Sequence, residues 1–279
     1  MTIIAGMGPE TGSGVGVLLR GWRERRRLSQ LQLALLADSS ARHISFVENG
    51  RARPSQEMVL RLAEHLDVPV RERNTLLLAA GYAPHYPEKQ LDDPAMDALR
   101  SGMERLLASH DPYPALVVDG TFRVLAANRS LGMLLAGVAP HLLEPPLNAM
   151  RITLHPEGLA PLIVNLRQWR QHLLERMERQ VGLIRSEPLR ALLDEVGAYP
   201  DPVGGAADDG ADDEDVTALF PFALPLRIAF GGRVLSFLST ITTFNTPMDV
   251  TVSELALEAF LPADAETVAF LQAAVGPER

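Results

Sequence analysis

Between Ser40 and Ser55 the chain reads SARHISFVENGRARPS, which groups side chains able to contact base edges and phosphates. Arg42 can address a guanine with two donors, His43 and Ser45 can each donate or accept, and Ala41 can meet a thymine methyl. Ser40 stands at the same end, immediately before them. Arg51, Arg53 and Ser55 flank the far side, and Gln30 lies upstream at the start of another predicted helix, where its amide and the free backbone donors suit a phosphate oxygen. The alternative is a solvated charged face on an ordinary helical bundle.

Those residues need two short helices to position them, and both carry capping signals. Ser29 followed by Gln32 forms an S-x-x-Q capping box, so one helix is expected to begin at Ser29. Leu33, Ala34, Leu36 and Ala37 give it a narrow apolar stripe, with alanines small enough for a second helix to cross closely. Asp38, Ser39 and Ser40 then break the pattern. Ser40 is a good N-cap, Ile44 and Val47 face inward, and Gly50 is placed just past the second helix. This is a helix-turn-helix in outline.

The segment from Arg20 to Ala80 resembles the DNA-binding domain of the Cro/phage-repressor-like (XRE) helix-turn-helix family in its five-helix form. The resemblance rests on Leu19, Trp22 and Arg23, on Leu28-Ser29-Gln30, on Leu33-Ala34-x-Leu36-Ala37, and on Ser40, Ile44-Ser45, Val47-Glu48-x-Gly50 and Arg53-Pro54-Ser55. It departs at Ser39, where the family usually has a small apolar residue. It implies double-stranded operator DNA as partner, with the second helix in the major groove and its first turn towards base edges. It also implies a pairing of Arg23 with Glu48. An acid near a helix C-terminus is disfavoured by the helix dipole and needs a cation, and arginine suits a partly buried bidentate pair.

The charge distribution agrees. The chain of 279 residues carries a net −9, yet Val17 to Ala83 holds eleven Arg against seven Asp plus Glu, leaving −13 for the remainder. A basic segment inside an acidic chain is an electrostatic footprint for phosphate. The absence of cysteine excludes disulfides, thiolate nucleophiles and cysteine-ligated zinc. The seven histidines have no metal-ligand spacing, so no metal is expected. There is no run of eighteen apolar residues and no basic region followed by an apolar core at the N-terminus. A cytoplasmic protein without membrane association is expected.

The length favours two domains. Met1 to Val15 is glycine-rich, and its GMGPETGSGVG lacks the ending of a phosphate loop, so a disordered leader is expected before a helix-turn-helix domain over 16–83. Helices are expected over roughly Val17 to Arg27, from a Ser55 cap to Leu66, and from Val70 to Ala80, with a proline-rich linker over 84–94. A helix from Ala95 to Ser109 precedes ALVV-Asp119-Gly120-TFRVLAA, a hairpin signal, and Asn128 can cap a helix over Arg129 to Leu135. A long helix is expected from Leu159 to Gly182, and another from Pro188 to Val196. The acidic run over 200–215 reads as a mobile loop. Strands are then expected over Leu224 to Phe230, Val234 to Phe244 and Val250 to Phe260, with a closing helix from Ala263 to Ala274.

The region from Pro94 to Val275 resembles the ligand-binding domain of MmyB-like transcription regulators, a PAS-like fold behind an XRE domain. The resemblance rests on Pro114-Ala115-Leu116-Val117-Val118-Asp119, on Val124-Leu125-Ala126-x-Asn128, on the segment Asn148 to Asn165, and on Glu258-Ala259-Phe260-x-Pro262-Ala263-Asp264. The fold expected overall is therefore multidomain, a five-helix bundle followed by an α+β domain over 95–279 whose antiparallel sheet packs with helices.

No G-x-S-x-G, no H-E-x-x-H and no carboxylate pair at helical spacing in an apolar setting is present, so no catalytic site and no enzyme is expected. Phe230, Leu235, Phe237, Ile241 and Phe244 offer an apolar sheet face opposite a helix striped by Leu166, Trp169 and Leu173. A sheet curved over helices often leaves a pocket, although a filled core is equally open. Arg151, His155, Arg167 and Arg170 are candidate polar anchors, because an arginine beside an apolar cavity suits a carboxylate. The leading expectation is a homodimeric transcription regulator that binds an apolar small molecule, with a fatty acid or similar amphiphile as lead ligand and no other cofactor. Its rival is a helix-turn-helix regulator whose second domain is a ligand-free dimerisation or protein-partner module.

Overall fold

The computed structural model describes residues 14–184, 186–200 and 223–275, so the expected leader to residue 13 and the acidic run over 201–215 lie outside the described residues. The chain divides into two compact units, one of residues 1–88 with 246–253, the other of 89–245 with 254–279.

The first unit holds α1 (Val15–Arg25), α2 (Gln30–Leu36), α3 (Ala41–Glu48), α4 (Gln56–His65) and α5 (Val70–Ala79). The expected caps are in place. Ser29 Oγ accepts from Gln32 N–H while Gln32 reaches back to the Ser29 amide, Ser40 Oγ accepts from His43 N–H, and Ser55 Oγ from Met58 N–H. Leu19, Trp22, Leu33, Ala34, Ile44, Val47, Val59, Leu62, Leu76 and Leu77 form its buried core. Gly16, inside the stretch that resembles a phosphate loop, is a packing residue of α1. A Cβ there would stand 2.3 Å from the Val47 carbonyl oxygen, so only glycine lets α1 approach α3 this closely.

The second unit is a five-stranded antiparallel sheet of order β2-β1-β5-β4-β3, with β1 Ala115–Val118, β2 Val124–Ala127, β3 Leu226–Phe230, β4 Arg233–Thr243 and β5 Ala256–Pro262. All of β1 is buried because both faces of the sheet are covered. Ala115 and Val117 meet Met103 and Leu107 of α6 (Asp97–His110), whereas the opposite face packs on α7 (Arg129–Leu134), α8 (Ala149–Leu154), α9 (Leu166–Leu183) and α10 (Glu187–Gly197). α11 (Val250–Glu254), most of which falls in the first unit, and α12 (Ala265–Ala274) of the second complete the twelve α-helices of the described residues.

Two expectations need correction. Leu159 to Val164 is not part of the long helix. Pro161 lies in a 3-10 turn, Ile163 bridges to Ile228, and Val164 N–H donates to the Arg227 carbonyl, so α9 starts only after Asn165. Val250 to Glu254 is helical rather than extended, because Asp249 Oδ1 accepts from Thr251 N–H at 2.8 Å and caps it against β-branched propensity. The expected hairpin forms, with β1 antiparallel to β2 and a turn that runs over 119–123. Asp119 Oδ1 accepts from Thr121 and Arg123 N–H, and the left-handed residue is Phe122 (φ 61°), a buried side chain.

Candidate functional site

The exposed end of α3 carries the candidate base-reading residues. Arg42 is exposed, with its guanidinium 5.2 Å from the Phe46 ring centroid, and Ala41, His43 and Ser45 are half-buried beside it. Ser40 is tied up as the cap, while Ser45 Oγ accepts from the Asn49 amide. Beneath α3 lies a buried electrostatic clamp. Glu48, 4% exposed at the last position of α3, receives Arg23 Nε on Oε1 at 2.6 Å and Arg23 Nη2 on Oε2 at 3.0 Å. Gln30 Nε2 donates to Glu48 Oε2 at 2.8 Å, so the Gln30 amide that suits a phosphate also ties α2 to α3. Burial alone would raise the Glu48 carboxyl, but the hydrogen bonds from Arg23 and Gln30 outweigh it and hold the group below its ordinary value. The same pair holds Arg23 above its own ordinary value.

The flanking residues divide. Arg51 is exposed, whereas Arg53 directs Nε at the Ala80 carbonyl (3.1 Å) and Nη2 at the Gly81 carbonyl (3.3 Å) and lies over the Tyr82 ring. Its first role is thus to satisfy the C-terminal carbonyls of α5. Ser55 similarly spends its hydroxyl on capping α4.

The second unit contains a cavity of ≈ 100 Å³ between the sheet and its helices. Sheet residues Leu116, Val124, Leu226, Ile228, Phe237, Glu258 and Phe260 face Leu131 and Leu134 of α7, Met150, Ile152 and Thr153 of α8, and Trp169 and Leu173 of α9. Three buried asparagines hang these helices on the sheet. Asn128 accepts from Ala115 N–H and Leu131 N–H, Asn148 donates to the Thr121 carbonyl and caps α8, and Asn165 donates to the Pro225 carbonyl while accepting from Arg227 N–H. Each side chain acts where no backbone ladder reaches.

Of the expected ligand residues, Trp169, Leu173 and Phe237 line this cavity. Leu235 is packed core, and Phe230 and Leu166 are half-buried against that core without lining the space. Ile241 (46% exposed) stands on the far part of β4, which outruns its cover, Phe244 (42% exposed) lies just past the strand's end, and both are corrected to surface residues.

The expected polar anchors are also corrected. Arg151 makes a bidentate pair with Glu195, with both contacts at 2.7 Å, Tyr199 Oη donates to the same carboxylate, and Arg170 donates to the Gly197 and Tyr199 carbonyls. Together they pin the C-terminal end of α10. The Arg151 hydrogen bonds hold the Glu195 carboxyl low, and burial with Glu195 pushes the Tyr199 hydroxyl up to about 12. His155 stacks edge-on against Tyr199 and accepts from Glu157 N–H through Nδ1. Arg167 is exposed on α9. The histidines are not all scattered in space, since His141, His155 and Glu157 gather their ligand-type atoms within 4.8 Å of one another.

Glu258 is the site residue that sequence reasoning missed. It is 5% exposed in the middle of the sheet, opposite Leu116 on β1 and Ile241 on β4, and it faces the cavity. Ser239 Oγ donates to its Oε1 at 2.8 Å, and Arg176 Nη1 stands 3.5 Å from both oxygens. An acid inside the apolar strand ALEAFLP was the available signal.

Among the described residues no helix is long and apolar enough to cross a membrane. A comparison with curated proteins found no match. A helix-turn-helix family model matches residues 19–73, and the model described as MmyB-like transcription regulator ligand binding domain matches residues 99–274. The latter covers more than half of the 279 residues. Both describe parts of transcription regulators rather than of enzymes. The protein is a DNA-binding transcription regulator with a ligand-binding domain, and the chain belongs to the MmyB-like transcription regulators.

Proposed function

We propose that this regulator binds operator DNA as a homodimer in the cytoplasm and that an aliphatic chain, that of a fatty acid or of a similar amphiphile, lodges in the second unit and changes its affinity for DNA. The observation that carries the proposal is the cavity itself. Its ≈ 100 Å³ far exceeds the ~10–15 Å³ that one water needs and approaches the ~150 Å³ in which an apolar site stays dry and admits benzene. Of its lining side chains only Thr153, Trp169 and Glu258 carry a polar atom, so an aliphatic chain meets complementary surface almost everywhere. Because Arg151 and Arg170 are committed to α10, the chain rather than a carboxylate headgroup supplies the recognition. Two copies are proposed because helix-turn-helix proteins read paired half-sites one helical turn apart, and Ile241 and Phe244 leave apolar surface for a second copy.

Selection of duplexes from a random-sequence pool by the full-length protein tests this, followed by titration of the selected duplex with and without octanoate or 1-octanol. The expected result is a two-half-site sequence whose affinity shifts several-fold with at least one probe. No enriched sequence would refute the DNA-reading role, and an enriched sequence indifferent to both probes would refute ligand sensing.

A further inference from the structure

The cavity contains one charged side chain, and its sign is negative. Glu258 lines the cavity together with Leu116, Phe237 and Phe260, with no arginine, lysine or histidine among the lining residues. Ser239 and Arg176 engage Oε1, but Oε2 receives only the long 3.5 Å approach of Arg176, although a carboxylate oxygen can accept two hydrogen bonds. Arg176, 19% exposed and lying over the Phe122 ring, offsets the charge of Glu258 from outside the cavity.

We propose that Glu258 selects the polar end of the ligand, and that this end is a neutral hydrogen-bond donor, so that the ligand class is a hydroxyl-terminated aliphatic molecule. The inference rests on the reading that the cavity takes an aliphatic chain. A hydroxyl fills the open acceptor position of Oε2 without adding charge. A carboxylate at the same place would oppose Glu258 at close range in a setting with little water, where like charges repel strongly. An ammonium group would add a second cation beside Arg176 and leave the site with an uncompensated positive charge.

The test uses the full-length protein and three probes of one chain length. They are 1-octanol, which donates, methyl octanoate, which is neutral but cannot donate, and octanoate, which is charged. Binding is followed by the change in tryptophan fluorescence, to which Trp169 at the cavity contributes, and by calorimetry. In the wild type 1-octanol should bind about tenfold or more tightly than either other probe, the scale of one hydrogen bond to a charged group. In Glu258→Gln, which keeps the shape and removes the charge, the gap between 1-octanol and octanoate should shrink to within about threefold, because the new amide can donate to a carboxylate. Equal binding of methyl octanoate and 1-octanol to the wild type, or octanoate binding at least as tightly as 1-octanol, would overturn the inference while leaving the cavity reading intact. An undiminished gap in Glu258→Gln would do the same. The wild-type comparison stands on its own should that variant fold poorly. If no probe binds the wild type, the cavity reading falls and the inference falls with it.

Discussion

Arg23 and Glu48 form a bidentate ion pair under the helix-turn-helix, with contacts of 2.6 and 3.0 Å and side-chain exposures of 11% and 1%. The pair joins the helix that carries Trp22 to the end of α3, and Gln30 on α2 completes it. Glu48 sits where the dipole of α3 disfavours an acid, so the pair also offsets that local cost.

Removing one partner leaves the other charged and dry. Glu48→Ala is therefore expected to destabilise the first unit by roughly 3–5 kcal/mol, against about 0–1 for an exposed pair. Denaturant unfolding of the full chain, followed by tryptophan fluorescence in a Trp169→Phe background that leaves Trp22 as the reporter, measures it. A loss below about 1 kcal/mol would mean that the pair is solvated.

The same pair predicts a dependence on pH. The folded-state Glu48 carboxyl lies below its ordinary value, so its contribution is complete above the unfolded-state value of about 4.3 and is lost as pH falls through the folded-state value. The stability difference between wild type and Glu48→Ala should be constant from pH 7 to 5 and shrink below about pH 4. A difference that stays constant down to pH 3 contradicts the assignment.

Arg42→Ala should cost on the order of 1–3 kcal/mol of discrimination at one base-pair position while leaving non-specific binding nearly unchanged. Titration against the selected duplex and its single-position variants reads this directly. Arg53→Ala behaves differently, since Arg53 holds the carbonyls of Ala80 and Gly81 and its loss should lower the stability of the unit as well as the affinity for every sequence. An unchanged specificity ratio in Arg42→Ala would move base recognition elsewhere.

Gly16→Ala should destabilise the first unit by about 1–3 kcal/mol, because its Cβ would stand 2.3 Å from the Val47 carbonyl oxygen and 2.8 Å from that of Glu48. The thermal midpoint of the full-length variant provides the check. An unchanged midpoint would show that α1 can shift outward without loss.

How far these features could be read from the sequence follows from the range of the interactions involved. The caps at Ser29, Ser40 and Ser55 act within three residues and could be read directly. The Arg23–Glu48 pair spans 25 positions, and the dipole argument with the family resemblance was enough to expect it. The start of α9 could not be read, because it is set by Asn165 binding a strand about sixty residues later. The anchors failed for a similar reason. Arg151 has its partner 44 positions away on α10, and nothing local distinguishes an arginine that binds a headgroup from one that pins a helix. Ile241 follows the alternation of Leu235 and Phe237 on β4, and Phe244 lies just past the end of that strand, but periodicity does not reveal where the covering helices stop.

The central claim is that the cavity beside Phe237 holds an aliphatic molecule, and native mass spectrometry of the full-length protein, purified without added ligand, tests it most directly. Phe237 is fully buried and lines the cavity, so Phe237→Trp fills the space, whereas Ile241→Trp alters an exposed position on the same strand. The account predicts a bound mass of an aliphatic compound in the wild type and in Ile241→Trp, and its loss in Phe237→Trp. Bare protein mass in all three, with no uptake of added 1-octanol or octanoate by the wild type, would contradict it. So would a bound mass that persists in Phe237→Trp while the thermal midpoint falls.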